Sequence, residues 1–197
     1  MAKQAFVSTA SIVNMSKKMG FSGYSELVFS LQSPSVSANT DLTDLVTVEE
    51  QQLFTQLMTH YRDKRIMVLA SGFSQNIANY MNETFNLYGF RATANSHLEF
   101  LRGTNEEDIL LIIISNSGDT QRLVELAEIA QKHQMALIAF VGDKKSKVGD
   151  LVTLTINTNT YSPKILQSFT PNFFFGTVLN QFELLLNGAL KNLYEAP

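Results

Sequence analysis

The 197-residue chain is 45% hydrophobic and 17% charged, enough apolar material for one substantial core and unlike the low-apolar, high-charge composition of a disordered chain. Fifteen Lys and Arg against eighteen Asp and Glu give a net charge of −3, which argues against polyanion binding by the whole chain while leaving room for a local basic patch. With no cysteine there are no disulfides, no thiolate chemistry and no cysteine zinc site, and His60, His97 and His133 are too widely spaced for a local ligand motif; no metal or cofactor is expected. The longest unbroken apolar run, Ile109 to Ile114, is far below the ~20 residues that span a bilayer, so the expectation is a cytoplasmic protein without a membrane partner.

The chain begins basic, with Lys3, Lys17 and Lys18 against Glu26, and a short helix is predicted from a cap at Ser8 or Thr9 to about Met19. Ile12, Met15 and Met19 form its apolar stripe, Gly20 is its left-handed stop, and a second short helix follows from Tyr24 to Leu31. Thirty residues cannot enclose a core of their own, so this piece reads as incomplete. Residues 31 to 60 carry acids and no basic residue, and the sign changes across Ser33-Pro34-Ser35-Val36-Ser37-Ala38-Asn39-Thr40. Small polar residues around a proline mark a linker over 33–45, which divides the chain into 1–32, the linker, and 46–197.

From Val48 onward the pattern alternates. A helix near 48–62 precedes an apolar strand at 66–70, a helix at 74–88 and a strand at 91–94. Next come a short helix near 97–102, a strand at 109–114, a helix at 119–134, strands at 136–141 and 151–156, and an apolar helical stretch over 165–193. Strands separated by helices, several of them continuous Ile/Leu/Val runs, predict an α/β fold: a doubly wound parallel sheet of five strands. The apolar surface of 165–193 is wider than one-sided packing needs, which predicts a homodimer built through this domain.

In an open parallel sheet the ligand sits beyond the carboxyl ends of the strands. Two strand ends are rich in hydroxyls and each runs into a helix: Ser71-Gly72-Phe73-Ser74 after the first strand and Ser115-Asn116-Ser117-Gly118-Asp119-Thr120 after the third. Hydroxyl and backbone N–H donors at the positive end of a helix make an anion cradle, most simply for phosphate. The plainer alternative is that Ser115, Ser117 and Thr120 are ordinary helix caps. Neither loop is a dinucleotide fingerprint or a glycine-rich nucleotide loop, which disfavours a nucleotide cofactor.

Ile114-Ser115-Asn116-Ser117-Gly118-Asp119-Thr120 resembles the Ile-Ser-x-Ser-Gly-x-Thr pattern of the sugar isomerase (SIS) domain. Ala70-Ser71-Gly72-Phe73-Ser74 is similar to its first-strand motif, with alanine in place of the first glycine. The resemblance implies a flavodoxin-like three-layer domain and a phosphosugar ligand, with Ser71, Gly72, Ser74, Ser115, Asn116, Ser117, Gly118 and Thr120 as the binding residues. Upstream, Val7-Ser8-Thr9-Ala10-Ser11-Ile12-Val13 and Lys17-Lys18-Met19-Gly20-Phe21-Ser22-Gly23-Tyr24 resemble the recognition helix and turn of RpiR-type transcriptional regulators, in which a helix-turn-helix precedes an SIS domain. Asn14 stands where that family usually has arginine, and the helices that should precede the recognition helix are not present, so the N-terminal segment reads as a helix-turn-helix remnant. The resemblance implies DNA as the partner of an intact family member, with Ser11, Asn14, Lys17 and Lys18 as weak DNA contacts, and a sugar phosphate as effector. The opposing expectation is a sugar-phosphate isomerase, for which His97 and Glu99 are the attractive acid-base pair.

Overall fold

The computed structural model describes residues 9–18, 21–25, 28, 42–94, 108–161 and 171–195. The chain divides into two compact units, Met1–Asp41 and Leu42–Pro197.

In the first unit, helix α1 spans Thr9–Lys18. Ser16 is its buried residue, the hydroxyl donating back to the Ile12 carbonyl (3.0 Å), while Ile12 and Val13 are half-buried. Met15, expected on the apolar stripe with Ile12, is instead 48% exposed. The predicted cap at Ser8 and the stop at Met19-Gly20 lie outside the described residues, as does most of the second short helix.

The larger unit is a five-stranded sheet in the order β2-β1-β3-β4-β5 with every neighbouring pair parallel. The strands are β1 (Arg65–Ala70), β2 (Arg91–Ala94), β3 (Ile109–Ser115), β4 (Ala136–Val141) and β5 (Leu154–Asn157). The helices are α2 (Val48–His60), α3 (Ser74–Leu87), α4 (Gln121–Lys132) and α5 (Phe174–Glu195). Alternate strand residues face opposite sides, so each continuous apolar run feeds two cores. Ile66, Val68, Leu110, Ile112, Ile138 and Phe140 join Phe54, Met81, Phe85 and Phe182 from α2, α3 and α5 on the first face. Met67, Leu69, Leu111, Ile113, Leu137 and Ala139 meet Leu123, Leu126 and Ala127 of α4 on the second. The rings of Phe85 and Phe182 lock the first core edge to face, 5.2 Å between centroids.

Two boundaries differ from expectation. Leu42–Leu45, assigned by sequence to the linker, is a 3-10 helix of the larger unit. Its anchor is Gln181, 2% exposed on α5, whose Nε2 donates to the carbonyls of Leu45 (2.9 Å) and Asn157 (3.0 Å). A Thr47–Glu50 capping box then starts α2, with Thr47 N–H donating to Glu50 and Glu50 N–H to the Thr47 hydroxyl. The fifth strand begins at Leu154 rather than 151, because Leu151 and Val152 turn inward against the second-face core first.

The wide apolar surface of the last helix has an internal explanation. Phe174, Val178, Phe182, Leu185, Leu186 and Ala189 of α5 are buried in the first core, and the exposed positions Asn180, Glu183, Asn187 and Lys191 are polar. The width therefore reflects packing against α2, α3 and the sheet within one chain and is not in itself a reason for a dimer.

Candidate functional site

Strand order reverses between β1 and β3, which pair with Ala70 beside Ile114. The chain leaving β1 turns to α3 on the first face and the chain leaving β3 turns to α4 on the second, so a crevice opens between the two loops, the usual ligand position in this topology. Both hydroxyl-rich loops predicted from sequence lie at this switch point.

After β1, Ser71 and Gly72 are exposed and Gly72 takes φ +60°. Ser74, buried, is the first residue of α3, which starts without a side-chain cap bond. After β3, the Ser115 hydroxyl oxygen accepts Gly118 N–H (3.1 Å) and the Ser117 oxygen accepts Asp119 N–H (3.2 Å). Thr120 occupies the N-cap position of α4 yet makes no side-chain cap bond. None of the three hydroxyls is thus an ordinary cap of α4. A hydroxyl that accepts an N–H keeps its own proton to donate, so Ser115 and Ser117 are set to act as donors toward an acceptor-rich ligand. The first N–H groups of α4 and the positive end of its dipole face the same end of the sheet.

The loop is held from the far side by the connection after β4, a contact that sequence reasoning missed. Gly142 N–H donates to the Asn116 carbonyl (3.0 Å), Val148 N–H to the Gly118 carbonyl (3.0 Å), and Lys147 N–H to Asp119 Oδ1 (3.3 Å). Gly118, buried at φ +64°, packs so tightly on Ser146 that a Cβ there would fall 2.1 Å from its hydroxyl oxygen. Asn116 is half-buried and its Oδ1 has no hydrogen-bond partner.

Beside the β1 loop lies a cavity of about 260 Å³ lined by Leu69, Ala70, Ser71, Gly72, Gln75, Arg122, Leu123 and Leu126. Its apolar floor and polar rim are the usual composition of a small-molecule site, and its size suits a small ligand. Ser71 and Gly72 of the predicted set line it, whereas Ser74 and the 115–120 loop do not. Gln75 and Arg122, on the first turns of α3 and α4, were not singled out from sequence. Among the described residues no group of three or more His, Asp or Glu could hold a metal ion, and no helix is long and apolar enough to cross a membrane. His97 and Glu99 lie outside the described residues.

Ser11, Asn14, Lys17 and Lys18 are all exposed on α1. Their spacing of three, three or four, and one places Ser11, Asn14 and Lys18 along one stripe, with Lys17 at its edge.

A parallel sheet in this order, with hydroxyl-rich loops at its switch point, is the architecture of α/β domains that take small ligands beyond the carboxyl ends of their strands. The SIS domain family is matched over residues 61–180, and the chain belongs to it; residues 1–37 match the helix-turn-helix domain of the rpiR family. An uncharacterized HTH-type transcriptional regulator of Clostridium perfringens is 25% identical, covering 91% of this chain and 79% of that protein. The Vibrio vulnificus NanR protein, solved in complex with ManNAc-6P, superposes with a TM-score of 0.65 at 19% identity, over 98% of this chain and 78% of its own. The sugar isomerase domain of an RpiR transcription factor from Sphaerobacter thermophilus gives 0.59 at 16%, over 79% and 89%. A Methanococcus jannaschii hypothetical protein, for which a 3-hexulose-6-phosphate isomerase function has been inferred, gives 0.61 at 23%, over 79% and 88%.

Proposed function

We propose that this chain is a sugar-phosphate-sensing transcriptional regulator: the switch-point site binds a phosphosugar, and the bound ligand modulates DNA binding by the N-terminal unit. The observation that carries the reading is the complete Ser115–Thr120 motif at the β1/β3 switch point of a chain that also matches the rpiR helix-turn-helix. Ser74, Ser115, Ser117 and Thr120 surround the phosphate, Ser71, Gly72, Asn116 and Gly118 shape the loops, and α1 presents Ser11, Asn14, Lys17 and Lys18 to DNA. The protein works in the cytoplasm as a homodimer, since helix-turn-helix proteins read paired half-sites through paired heads.

The site acts as a sensor rather than a catalyst. Aldose-ketose isomerisation moves a proton between adjacent carbons and needs a positioned carboxylate or imidazole. What favours a sensor is that residues 1–37 match the helix-turn-helix domain of the rpiR family. The relative for which an isomerase function has been inferred keeps the enzyme reading as the competing one.

The test is calorimetric titration with hexose 6-phosphates, N-acetylmannosamine 6-phosphate and the matching free sugars. Phosphorylated ligands are expected to bind at micromolar to millimolar strength and free sugars not at all, with Ser117→Ala weakening the complex. Equal binding by phosphorylated and free sugars would sink the reading, and turnover of any phosphosugar would replace sensor by enzyme.

A further inference from the structure

The two loops of the cradle, 71–74 and 115–120, contain one charged side chain, and it has the wrong sign: Asp119, whose Oδ1 accepts from Lys147 N–H. Hydroxyls and N–H groups solvate an anion but do not neutralise it, so the cradle alone offers a phosphate dipoles beside a net negative charge. The cavity that adjoins the cradle supplies the missing cation. Among the described residues that line it, Arg122 is the one charged side chain, at the second position of α4, two residues beyond Thr120. Ser71, Gly72 and Gln75 line the same cavity, together with the apolar Leu69, Leu123 and Leu126. Guanidinium is the side chain whose planar fork matches phosphate oxygens in pairs.

We infer that Arg122 is the specificity-determining residue of this site, its guanidinium gripping the phosphate from the cavity side while the 115–120 loop holds it from the other. The inference rests on the phosphosugar reading and adds to it the residue that makes the site discriminate between a phosphorylated sugar and its free counterpart. The rest of the ligand then lies over the leucine floor, where the C–H face of a sugar ring finds apolar contact and Gln75 reaches a ring hydroxyl. Lys144, Lys145 and Lys147, exposed on the connection after β4, raise the local potential without lining the cavity.

The experiment is calorimetric titration of the full chain with inorganic phosphate, glucose 6-phosphate and N-acetylmannosamine 6-phosphate. The proteins are the parent, Arg122→Gln, Arg122→Lys, and a Lys144→Gln/Lys145→Gln/Lys147→Gln triple variant. Losing a charge-assisted contact is expected to weaken every phosphorylated probe by roughly tenfold to a hundredfold in Arg122→Gln. Arg122→Lys should recover part of that loss and the triple variant should stay within about threefold of the parent, since screening limits exposed charges that make no contact. Arg122 is exposed, so the melting temperature of the unliganded variant serves as the check that folding is intact. Parent-like binding by Arg122→Gln, or an equal loss in the triple variant, would overturn the inference and leave the phosphosugar reading standing. A parent protein that binds none of the three probes would overturn both.

Discussion

Gly118 is where fold and site meet most tightly, and replacing it with alanine separates two costs. The residue sits at φ +64°, a region that disfavours a Cβ by roughly 1–2 kcal/mol. The added Cβ would also lie 2.1 Å from Ser146 Oγ and 2.3 Å from Ser146 Cβ, and Ser146 is buried. Overpacking of this kind costs typically about 1–3 kcal/mol, so Gly118→Ala is expected to lose about 2–5 kcal/mol in all. Gly72 is the control: its φ is +60°, but nothing lies within 4 Å of its added Cβ, so only the backbone part applies. At roughly 2–4 °C per kcal/mol for a domain of this size, Gly118→Ala should melt on the order of 10 °C below the parent, with Gly72→Ala falling by less than half as much. In a Ser146→Gly background the steric part disappears, and chemical denaturation of the four proteins forms a double-mutant cycle whose coupling term is the clash. Gly118→Ala as stable as Gly72→Ala, or a Gly118→Ala cost unchanged by Ser146→Gly, would refute the reasoning. Because the carbonyl of Gly118 is held by Val148 N–H, the variant should also displace the 115–120 loop and weaken sugar-phosphate binding.

Phe182→Ala empties a fully buried position that stacks edge to face on Phe85 and Tyr80 and should cost about 3–5 kcal/mol in urea denaturation; a loss below about 1 kcal/mol would mean the first-face core closes around the gap. The hydrogen bond that Tyr80 donates to Glu183, helped by desolvation and the carboxylate charge, raises the Tyr80 pKa above 10.0. The raised pKa stabilises the fold fully below pH 10 and is lost as pH rises through the folded-state value, so phenolate absorbance should show Tyr80 ionising late and Glu183→Ala should bring it earlier; an unmoved titration would refute the assignment. On duplex DNA, Lys17→Ala and Lys18→Ala should each reduce the salt slope by about 0.9 if each neutralises a phosphate, whereas Asn14→Ala should relax base preference by roughly 1–3 kcal/mol at one position; identical salt and sequence effects from all three would show that α1 does not lie in a groove.

How far the fold could be read in advance depends on burial. Ile109 to Ile114 announced a central strand because a strand covered on both faces must be apolar at every position, and β3 is buried throughout. The same rule misplaced β5. Leu151 and Val152 are as apolar as a strand, yet they serve the second-face core before the ladder starts, and Thr153 bridges early to Leu137 with its N–H donating at 2.9 Å and its hydroxyl accepting at 3.2 Å. A composition of small polar residues extended the linker to residue 45. What ties Leu42–Leu45 to the larger unit is the Gln181 amide, 136 positions beyond Leu45 in sequence, and no local pattern reports so distant a partner.

The site was legible as chemistry and illegible as geometry. A run of three hydroxyls within six residues marked 115–120 because one cap needs only one hydroxyl. The role of each hydroxyl is set by the loop's own hydrogen bonds. The oxygens of Ser115 and Ser117 accept the Gly118 and Asp119 N–H groups, which ties the loop together and leaves each hydroxyl proton available to donate. Thr120, free of a capping bond, keeps both roles open. On the proposed reading, such a cradle would meet phosphate oxygens with hydroxyl and N–H donors. The parts that complete it come from elsewhere in the chain, the 142–149 connection through the β3/β4 pairing and Gln75 through the β1 loop, and only the strand order brings those segments together. Arg122 is the exception. It stands two residues beyond the motif, on the second residue of a helix whose N-terminus was already assigned to an anion, so its place next to the 115–120 loop was readable in the sequence even though its place at the cavity was not.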